Sequence, residues 1–286
     1  MQLDYKILWI DDEKDSVETQ AELLNDFLGA QGFVLKKFWA KDKKALEDLL
    51  STTIDFDFIF VDNSFNDEDL GLDFIEQLRA NKVYADILFY SSIASVAKLK
   101  EEAIKKSIQS VYIYTKSAIN ADHSLFENII QYRINKEMDA SSLRGIAMSE
   151  IAVFDQEILN ILKNNDMKKN ILLKIKEQKS NHCDLCFAPE EKVWEMVDSE
   201  KGTIIFNSSS RKDVLHSKLL KGKEQYKKEY CEIRDNYHNE LLLIRNKLAH
   251  QITDFLSKEE KILFRKNLIK FRDIFNKLKD ELCPKL

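Results

Sequence analysis

The first 136 residues alternate short apolar runs with amphipathic stretches, and no other feature of the sequence constrains the fold as strongly. Apolar runs of strand length occupy residues 5–10, 33–39, 56–61, 87–90 and 111–114. Stretches with helical spacing lie at residues 15–28, 43–50, 71–80, 96–107 and 125–136. Because parallel neighbours need crossover connections, this alternation predicts an α/β fold: a five-stranded, parallel, doubly wound sheet with helices on both faces.

From about residue 141 onwards, apolar residues recur with the helical period of about 3.6. Helices are expected at residues 141–162, 167–177 and 213–250, and from Ser257 onwards, where Ser257 and Glu260 match a capping box. The irregular stretch at 180–210 is expected to contain a short strand at 203–206. We therefore predict two domains, an α/β domain at 1–137 and an all-α helical-bundle domain at 141–286.

Composition excludes several other classes of protein. Six glycines and two prolines are too few for a turn-dense sandwich. The longest apolar runs are four residues, far below the ~18 that span a bilayer, so no membrane association is expected. Without a secretory signal pattern, a cytoplasmic location is expected. The four cysteines are too few for a disulfide framework.

Charge is divided unequally between the two halves. Residues 1–140 carry 16 Lys and Arg against 26 Asp and Glu, whereas residues 141–286 carry 28 against 23. This asymmetry suits an acidic module joined to one that binds a polyanion, although surface charge also serves solubility.

Acidic and other polar residues follow the carboxyl ends of the predicted strands, where ligands bind in parallel α/β sheets. Asp11 and Asp12 follow the first strand, Asp62 the third, Ser91 the fourth and Lys116 the fifth. Three carboxylates at one edge repel one another unless a cation neutralises them, and hard oxygen ligands suit Mg²⁺. We predict a Mg²⁺ site at Asp11, Asp12 and Asp62. There, Asp62 would attack a phosphoryl group held by Ser91 and Lys116.

The strings around these residues resemble those of response-regulator receiver domains. They are ILWIDDE at 7–13, FIFVD at 58–62, GLDFI at 71–75, ILFYS at 87–91 and YIYTK at 112–116. The resemblance covers residues 1 to about 137 and implies a flavodoxin-like fold. It also implies that Asp62 is the phosphoacceptor for a cognate histidine kinase or another phosphodonor, with Mg²⁺ as cofactor.

The sequence departs from the receiver pattern at three points. The loop from Asp62 to Gly71 is one residue longer than usual, Ser117 replaces a proline, and Ile113 replaces an aromatic residue. Signal transmission by the usual aromatic switch is therefore in question. A receiver that serves only as a dimerisation platform is the alternative.

The second half contains the string IRNKLAH at 244–250. Arg245 and His250 lie about 140° apart around a regular helix, so their spacing alone says little, and Arg211 and His216 repeat it. The pattern Arg-Asn-x-x-Ala-His late in a helical domain nevertheless resembles the signature of HEPN ribonucleases.

The HEPN resemblance implies metal-independent RNA cleavage by a homodimer in which two copies of the motif face each other. His250 would exchange a proton with the ribose, Arg245 would stabilise phosphate charge, and Asn246 would orient either partner. Ile252 replaces a tyrosine common in the family. RNA chemistry in such proteins commonly serves defence or stress responses. By analogy, Glu150 and Asp155 on the first helix are candidates for contact with the motif, although an ion pair is the more frequent role of such residues.

Other interpretations stay open at this point. The helical domain is alternatively a non-enzymatic adaptor that binds a protein partner, or a phosphotransfer module that uses a bundle histidine. Cys183 and Cys186 resemble half of a zinc site, with ordinary thiols as the alternative. Lysines 221, 223, 227 and 228 with Tyr226 and Tyr230 form either an RNA-binding face or a solvated one. The second half has no helix-turn-helix pattern, so DNA binding is not expected.

Overall fold

The computed structural model describes residues 3–52, 54–65, 68–92, 95–179, 189–250 and 256–283. It divides into two compact units, with the division between Met138 and Asp139. No helix in these described residues is long and apolar enough to cross a membrane.

The N-terminal unit is built on a five-stranded parallel sheet, as predicted. Its strands are β1 (Asp4–Ile10), β2 (Val34–Ala40), β3 (Phe58–Asp62), β6 (Asp86–Ser91) and β7 (Val111–Thr115). The sheet order is β2-β1-β3-β6-β7, which is the flavodoxin-like order. Between β3 and the next helix, β4 (Ser64–Phe65) and β5 (Glu68–Asp69) pair as a short antiparallel hairpin that the sequence did not indicate.

The sheet strands alternate with helices close to the predicted positions. These helices are α1 (Lys14–Ala30), α2 (Lys43–Leu50), α3 (Gly71–Ala80), α4 (Val96–Lys105), α5 (Lys116–Ala121) and α6 (Ser124–Glu137). Asp42 and Ser95 begin α2 and α4 by accepting backbone N–H groups of the first turn. The short helix α5 was not predicted, and Thr115 caps it in the same way.

The core of this unit follows from the central position of β3, which lies between β1 and β6. All five residues of β3 are buried, as expected for a strand covered on both faces. Trp9 of β1 stacks on Phe60 with ring centroids 5.3 Å apart. This packing fixes the carboxyl ends of β1 and β3 side by side.

The C-terminal unit is all-helical, which confirms the predicted fold class. It contains α7 (Ala140–Asn164), α8 (Lys168–Lys179), α9 (Val193–Asp198), α10 (Glu200–Ile205), α11 (Ser208–Val214), α12 (Lys227–Asp235), α13 (Leu243–His250) and α14 (Lys258–Leu282). The two 25-residue helices, α7 and α14, pack against each other, and α13 packs against α7. Ser257 and Glu260 form the predicted capping box at the start of α14.

Two sequence-based expectations for this unit are wrong. The strand expected at 203–206 is occupied by α10, because the side chain of Ser199 caps a helix by accepting the N–H of Gly202. The single helix expected at 213–250 is interrupted, since Gly222 has a φ of 78°. A π-helical turn at Leu215–Leu220 precedes Gly222. A 3₁₀ turn at Glu224–Tyr226 and a second π-helical turn at His238–Leu242 follow it.

Candidate functional site

The register of the sheet brings two predicted site residues together. Ile10 of β1 pairs with Val61 of β3, so Asp11 and Asp62 follow at neighbouring positions on the carboxyl edge. This is where the strand order reverses, which is the usual ligand position in such sheets. Both aspartates are buried, with only 3% of Asp62 exposed.

Lys116 links these two carboxylates. Its Nζ lies 3.1 Å from Oδ2 of Asp62 and 3.7 Å from Oδ2 of Asp11. A third carboxylate, that of Glu13, accepts a hydrogen bond from the same ammonium at 2.6 Å. The lysine enters this edge because it begins α5 directly after β7. One ammonium group thus forms ion pairs with three carboxylates. The sequence analysis did not identify Glu13 as one of them.

Hydrogen bonds orient both buried carboxylates. Oδ1 of Asp62 accepts the N–H of Ser64 at 3.0 Å, and Oδ1 of Asp11 accepts the N–H of Glu13 at 2.8 Å. The hydroxyl of Tyr90 donates to Oδ2 of Asp11 at 2.6 Å. These contacts leave each carboxylate in one defined orientation.

Burial makes these carboxylates easier to protonate. Burial is the main reason that the pKa of Asp62 is raised to about 6. The charge of Lys116 opposes this increase, and the charge of Asp11 adds to it. Burial also raises the pKa of Asp11, against the hydrogen bond from Tyr90. Burial lowers the pKa of Lys116, but the carboxylates around it raise it by more, so the lysine is charged.

The remaining predicted residues of this site, Ser91 and Asp12, differ in exposure. Ser91 ends β6 and is fully buried, whereas Asp12 is exposed. Within the described residues, no group of three or more His, Cys, Asp or Glu side chains is arranged to hold a metal ion. Asp11 and Asp62 still fit Mg²⁺, because that ion needs only one or two carboxylates and keeps several waters. The Mg²⁺ site stays a prediction.

The raised pKa of Asp62 has a consequence for stability. Folding penalises the ionised form, because about 6 lies above the ~3.9 of an exposed aspartate. This penalty is absent below about pH 4 and complete above about pH 6. We expect Asp62→Asn to raise the free energy of unfolding by about 2 kcal/mol at about pH 7.5 and to change it little at about pH 4.

This expectation is checked by urea unfolding in a Trp194→Phe background, so that Trp9 and Trp39 report on the N-terminal unit. Glu22→Gln is the matched control, since Glu22 is an exposed carboxylate on α1. A gain from Asp62→Asn that is equal at both pH values would show that burial of the charge is not its cause.

The structure separates the residues of the second predicted site. Arg245, Asn246 and His250 all lie on α13, and the helix is regular over these residues. Arg245 and His250 are therefore about 140° apart around its axis. Asn246 and His250 are exposed and Arg245 is half-buried. Among the described residues, no hydrogen bond or ion pair joins Arg245 to His250.

The charge of Arg245 instead acts on a half-buried acidic side chain, that of Asp155. Burial raises the pKa of Asp155 on α7, and the hydroxyl of Ser208 and the charges of Arg211 and Arg245 lower it. Arg211 also donates from Nη1 to the backbone carbonyl of Asp155 at 3.4 Å. Arg211 and Arg245, the arginines of the two Arg and His pairs, thus both act on the carboxylate of Asp155. The spacing within each pair did not predict that these arginines share one partner.

Three polar atoms in this cluster have no hydrogen-bond partner in the described part of the chain. They are Oδ1 of Asp155, the hydroxyl of Tyr237 and Nε of Arg245. Tyr237 is fully buried, and its pKa is raised well above the usual value, mainly by burial. Nothing in the sequence pattern marks Tyr237 as part of a site, because it reads as an ordinary core position.

The half zinc site at Cys183 and Cys186 lies outside the described residues. The two described cysteines, Cys231 and Cys283, are free thiols of intermediate exposure.

Comparison with models of known protein families and with curated proteins gives no match. The class that the structure itself defines is a flavodoxin-like α/β unit followed by an all-helical unit.

Proposed function

We propose that this chain is a phosphorylation-responsive signalling protein whose N-terminal unit accepts a phosphoryl group on Asp62. The observation that carries the proposal is the ammonium of Lys116, held within 4 Å of both Asp62 and Asp11 at the carboxyl edge of the sheet. A buried carboxylate beside a partly buried cation and a second carboxylate suits phosphoryl transfer, in which positioning and charge stabilisation supply most of the catalysis.

The proposed step is a single displacement at phosphorus. A carboxylate oxygen of Asp62 attacks the phosphoryl group of a phosphohistidine donor. The new O–P bond gives an acyl phosphate, while the P–N bond breaks and the imidazole leaves. Lys116 and Ser91 hold phosphoryl oxygens. Mg²⁺, held by Asp11 and Asp62 with Asp12 beside them, would supply further neutralisation of phosphoryl charge when bound.

For the helical unit we propose HEPN-like, metal-independent RNA cleavage. His250 is exposed at the end of α13, where it can exchange a proton with a ribose hydroxyl. Arg245 is half-buried on the same helix, and its guanidinium would stabilise negative charge on the phosphate. Because the two side chains lie on different sides of α13, a site that uses both fits a homodimer in which two motifs face each other.

One observation favours a second candidate, the non-enzymatic adaptor. The charge of Arg245 acts on the half-buried carboxylate of Asp155, which suits a role in stabilising the helical unit. On this alternative the helical unit binds a protein partner when Asp62 is phosphorylated, and His250 is an ordinary residue at a helix end.

The two candidates differ in what they do to RNA. We would incubate the unmodified chain and His250→Ala with total RNA in EDTA, with and without prior treatment with acetyl phosphate and Mg²⁺. Cleavage that survives EDTA and disappears in His250→Ala is the expected result, because the proton carrier is lost. Its dependence on acetyl phosphate gives the sign of regulation.

His216→Ala is the matched control, since His216 follows an arginine at the same spacing but pairs with Asp213. Cleavage by His216→Ala at the level of the unmodified chain would assign the effect to His250. No cleavage by the unmodified chain in either phosphorylation state would favour the adaptor. Failure of acetyl phosphate to label Asp62 would reject the phosphoryl-accepting role.

A further inference from the structure

Tyr90 is a buried residue of the acidic site that the proposed chemistry does not yet use. It lies on β6 in register with Asp62 of β3, so the two side chains point to the same face of the sheet. Its side chain is fully buried, and its hydroxyl donates to Oδ2 of Asp11 at 2.6 Å.

The length of the tyrosine side chain explains this contact. Asp11 follows β1, two strands away from β6, and neighbouring strands are about 4.8 Å apart. The Cα atom of Tyr90 lies beside Asp62, and the tyrosine side chain is long enough to extend past Asp62 and reach Asp11. The side chain of a leucine or valine at the same position would be too short. Its ring centroid lies 5.7 Å from Nζ of Lys116, so the ring also borders the cation that joins the two carboxylates.

We infer that Tyr90 is a positioning residue for Asp11 as a Mg²⁺ ligand. This inference rests on the proposed phosphoryl-accepting function and adds a residue to the same site. The second oxygen of Asp11 is held by the N–H of Glu13 at 2.8 Å, so Tyr90 completes the fixation of the carboxylate. Hydrogen-bond partners of metal-binding carboxylates orient the ligand and commonly contribute 10-fold or more to metal affinity.

A buried tyrosine hydroxyl is costly unless it is hydrogen-bonded, and phenylalanine would fill the same space without that requirement. The hydroxyl of Tyr90 makes its bond to a predicted metal ligand. This choice of partner distinguishes a positioning role from core packing.

The test is a Mg²⁺ titration of the full chain carrying Tyr90→Phe, followed by tryptophan fluorescence. Trp39 is a suitable reporter because its Nε1 donates to the backbone carbonyl of Asp11 at 2.6 Å. We expect Tyr90→Phe to raise the Kd for Mg²⁺ about 10-fold. We also expect the rate of acetyl-phosphate labelling to return to the parental value at saturating Mg²⁺, because only the affinity has changed.

Tyr5→Phe is the matched control. Tyr5 is a buried tyrosine near the opposite end of the sheet, and its hydroxyl has no partner among the described residues. It should leave the Kd for Mg²⁺ unchanged.

Three results would overturn the inference. The first is a Kd for Tyr90→Phe within about twofold of the parental value, which is far below the 10-fold loss expected for such a partner. The second is a lower maximal labelling rate with an unchanged Kd. The third is no Mg²⁺ response in the unmodified chain, which would also remove the proposed metal. Weaker Mg²⁺ binding by Tyr90→Phe in a chain that acetyl phosphate does not label would uphold the inference and reject the proposed function.

Discussion

Replacing Lys116 with methionine is expected to slow the phosphorylation of Asp62 by about 100-fold or more, as when one charge-stabilising group is removed from an active site. Nζ of Lys116 lies 3.1 Å from Asp62 and 3.7 Å from Asp11, so the variant leaves two buried carboxylates without their shared cation. Phosphoryl oxygens would also lose a cationic partner. Methionine nearly preserves the volume of the side chain, which limits the effect on packing.

The same substitution should change the dependence of the rate on pH. The pKa of Asp62 is already raised to about 6 with Lys116 beside it, and loss of the cation raises this pKa further. A smaller fraction of Asp62 is then ionised at neutral pH, and only the ionised form is a nucleophile. The labelling rate of Lys116→Met should therefore recover in part as the pH is increased.

The measurement is the rate of acetyl-phosphate labelling across a pH series at saturating Mg²⁺. Lys106→Met is the matched control, because Lys106 also lies between two carboxylates, at 2.5 Å from Asp73 and 2.8 Å from Glu76, but on the surface. It should keep the parental rate at every pH. Parental labelling by Lys116→Met would contradict the assigned role of the ammonium.

The N-terminal fold was largely predictable because its signals are local. Each buried strand is a short apolar run, and the helices between strands carry their own caps, as at Asp42 and Ser95. Parallel pairing then follows from the alternation of strands and helices. The hairpin of β4 and β5 was missed because its two-residue strands are too short to produce a periodic pattern.

The acidic site was predictable only in part. Position after a strand indicated Asp11, Asp62 and Lys116, because the carboxyl ends of parallel strands meet at one edge. Tyr90 was missed because it lies within an apolar run, and its contact with Asp11 depends on a side chain that spans two strands. Such reach is a property of the folded sheet and leaves no mark in residue spacing.

The helical unit was less predictable for a related reason. Helical periodicity continues through a π-helical turn, so the sequence pattern did not show the irregular turn at Leu215–Leu220. Gly222, whose φ is 78°, marks a break that the prediction of a single helix over 213–250 did not take into account. The convergence of Arg211 and Arg245 near Asp155 depends on how α7, α11 and α13 pack, which spacing within one helix cannot show.

Replacing Gly71 with alanine is expected to lower the free energy of unfolding of the N-terminal unit by about 3 kcal/mol, the upper range for overpacking a rigid core. A Cβ atom at Gly71 would lie 2.5 Å from Cε2 of Phe89, 2.7 Å from Cα of Asn63 and 2.7 Å from the carbonyl oxygen of Asp62. Two of these three atoms belong to the backbone, so rotation of a side chain cannot relieve the clash.

The position of this clash ties stability to the acidic site. The N–H of Gly71 donates to the carbonyl of Asn63 at 3.2 Å, so any shift that makes room for a methyl group also moves the residue next to Asp62. We therefore expect Gly71→Ala to slow acetyl-phosphate labelling even at temperatures where the variant stays folded.

Gly29→Ala is the matched control, because it replaces a glycine with alanine at a position where the added Cβ atom causes no clash. Gly29 lies near the end of α1, and a Cβ atom there would meet no atom within 4 Å. Alanine should raise stability at that position by about 0.5 kcal/mol, because it restricts the unfolded chain and favours the helix. Urea unfolding in the Trp194→Phe background measures both variants. Equal stability changes for the two glycines would mean that the backbone of α3 moves away from β3 at little energetic cost, and the close approach at Gly71 would then not be what holds the Asp62 loop in place.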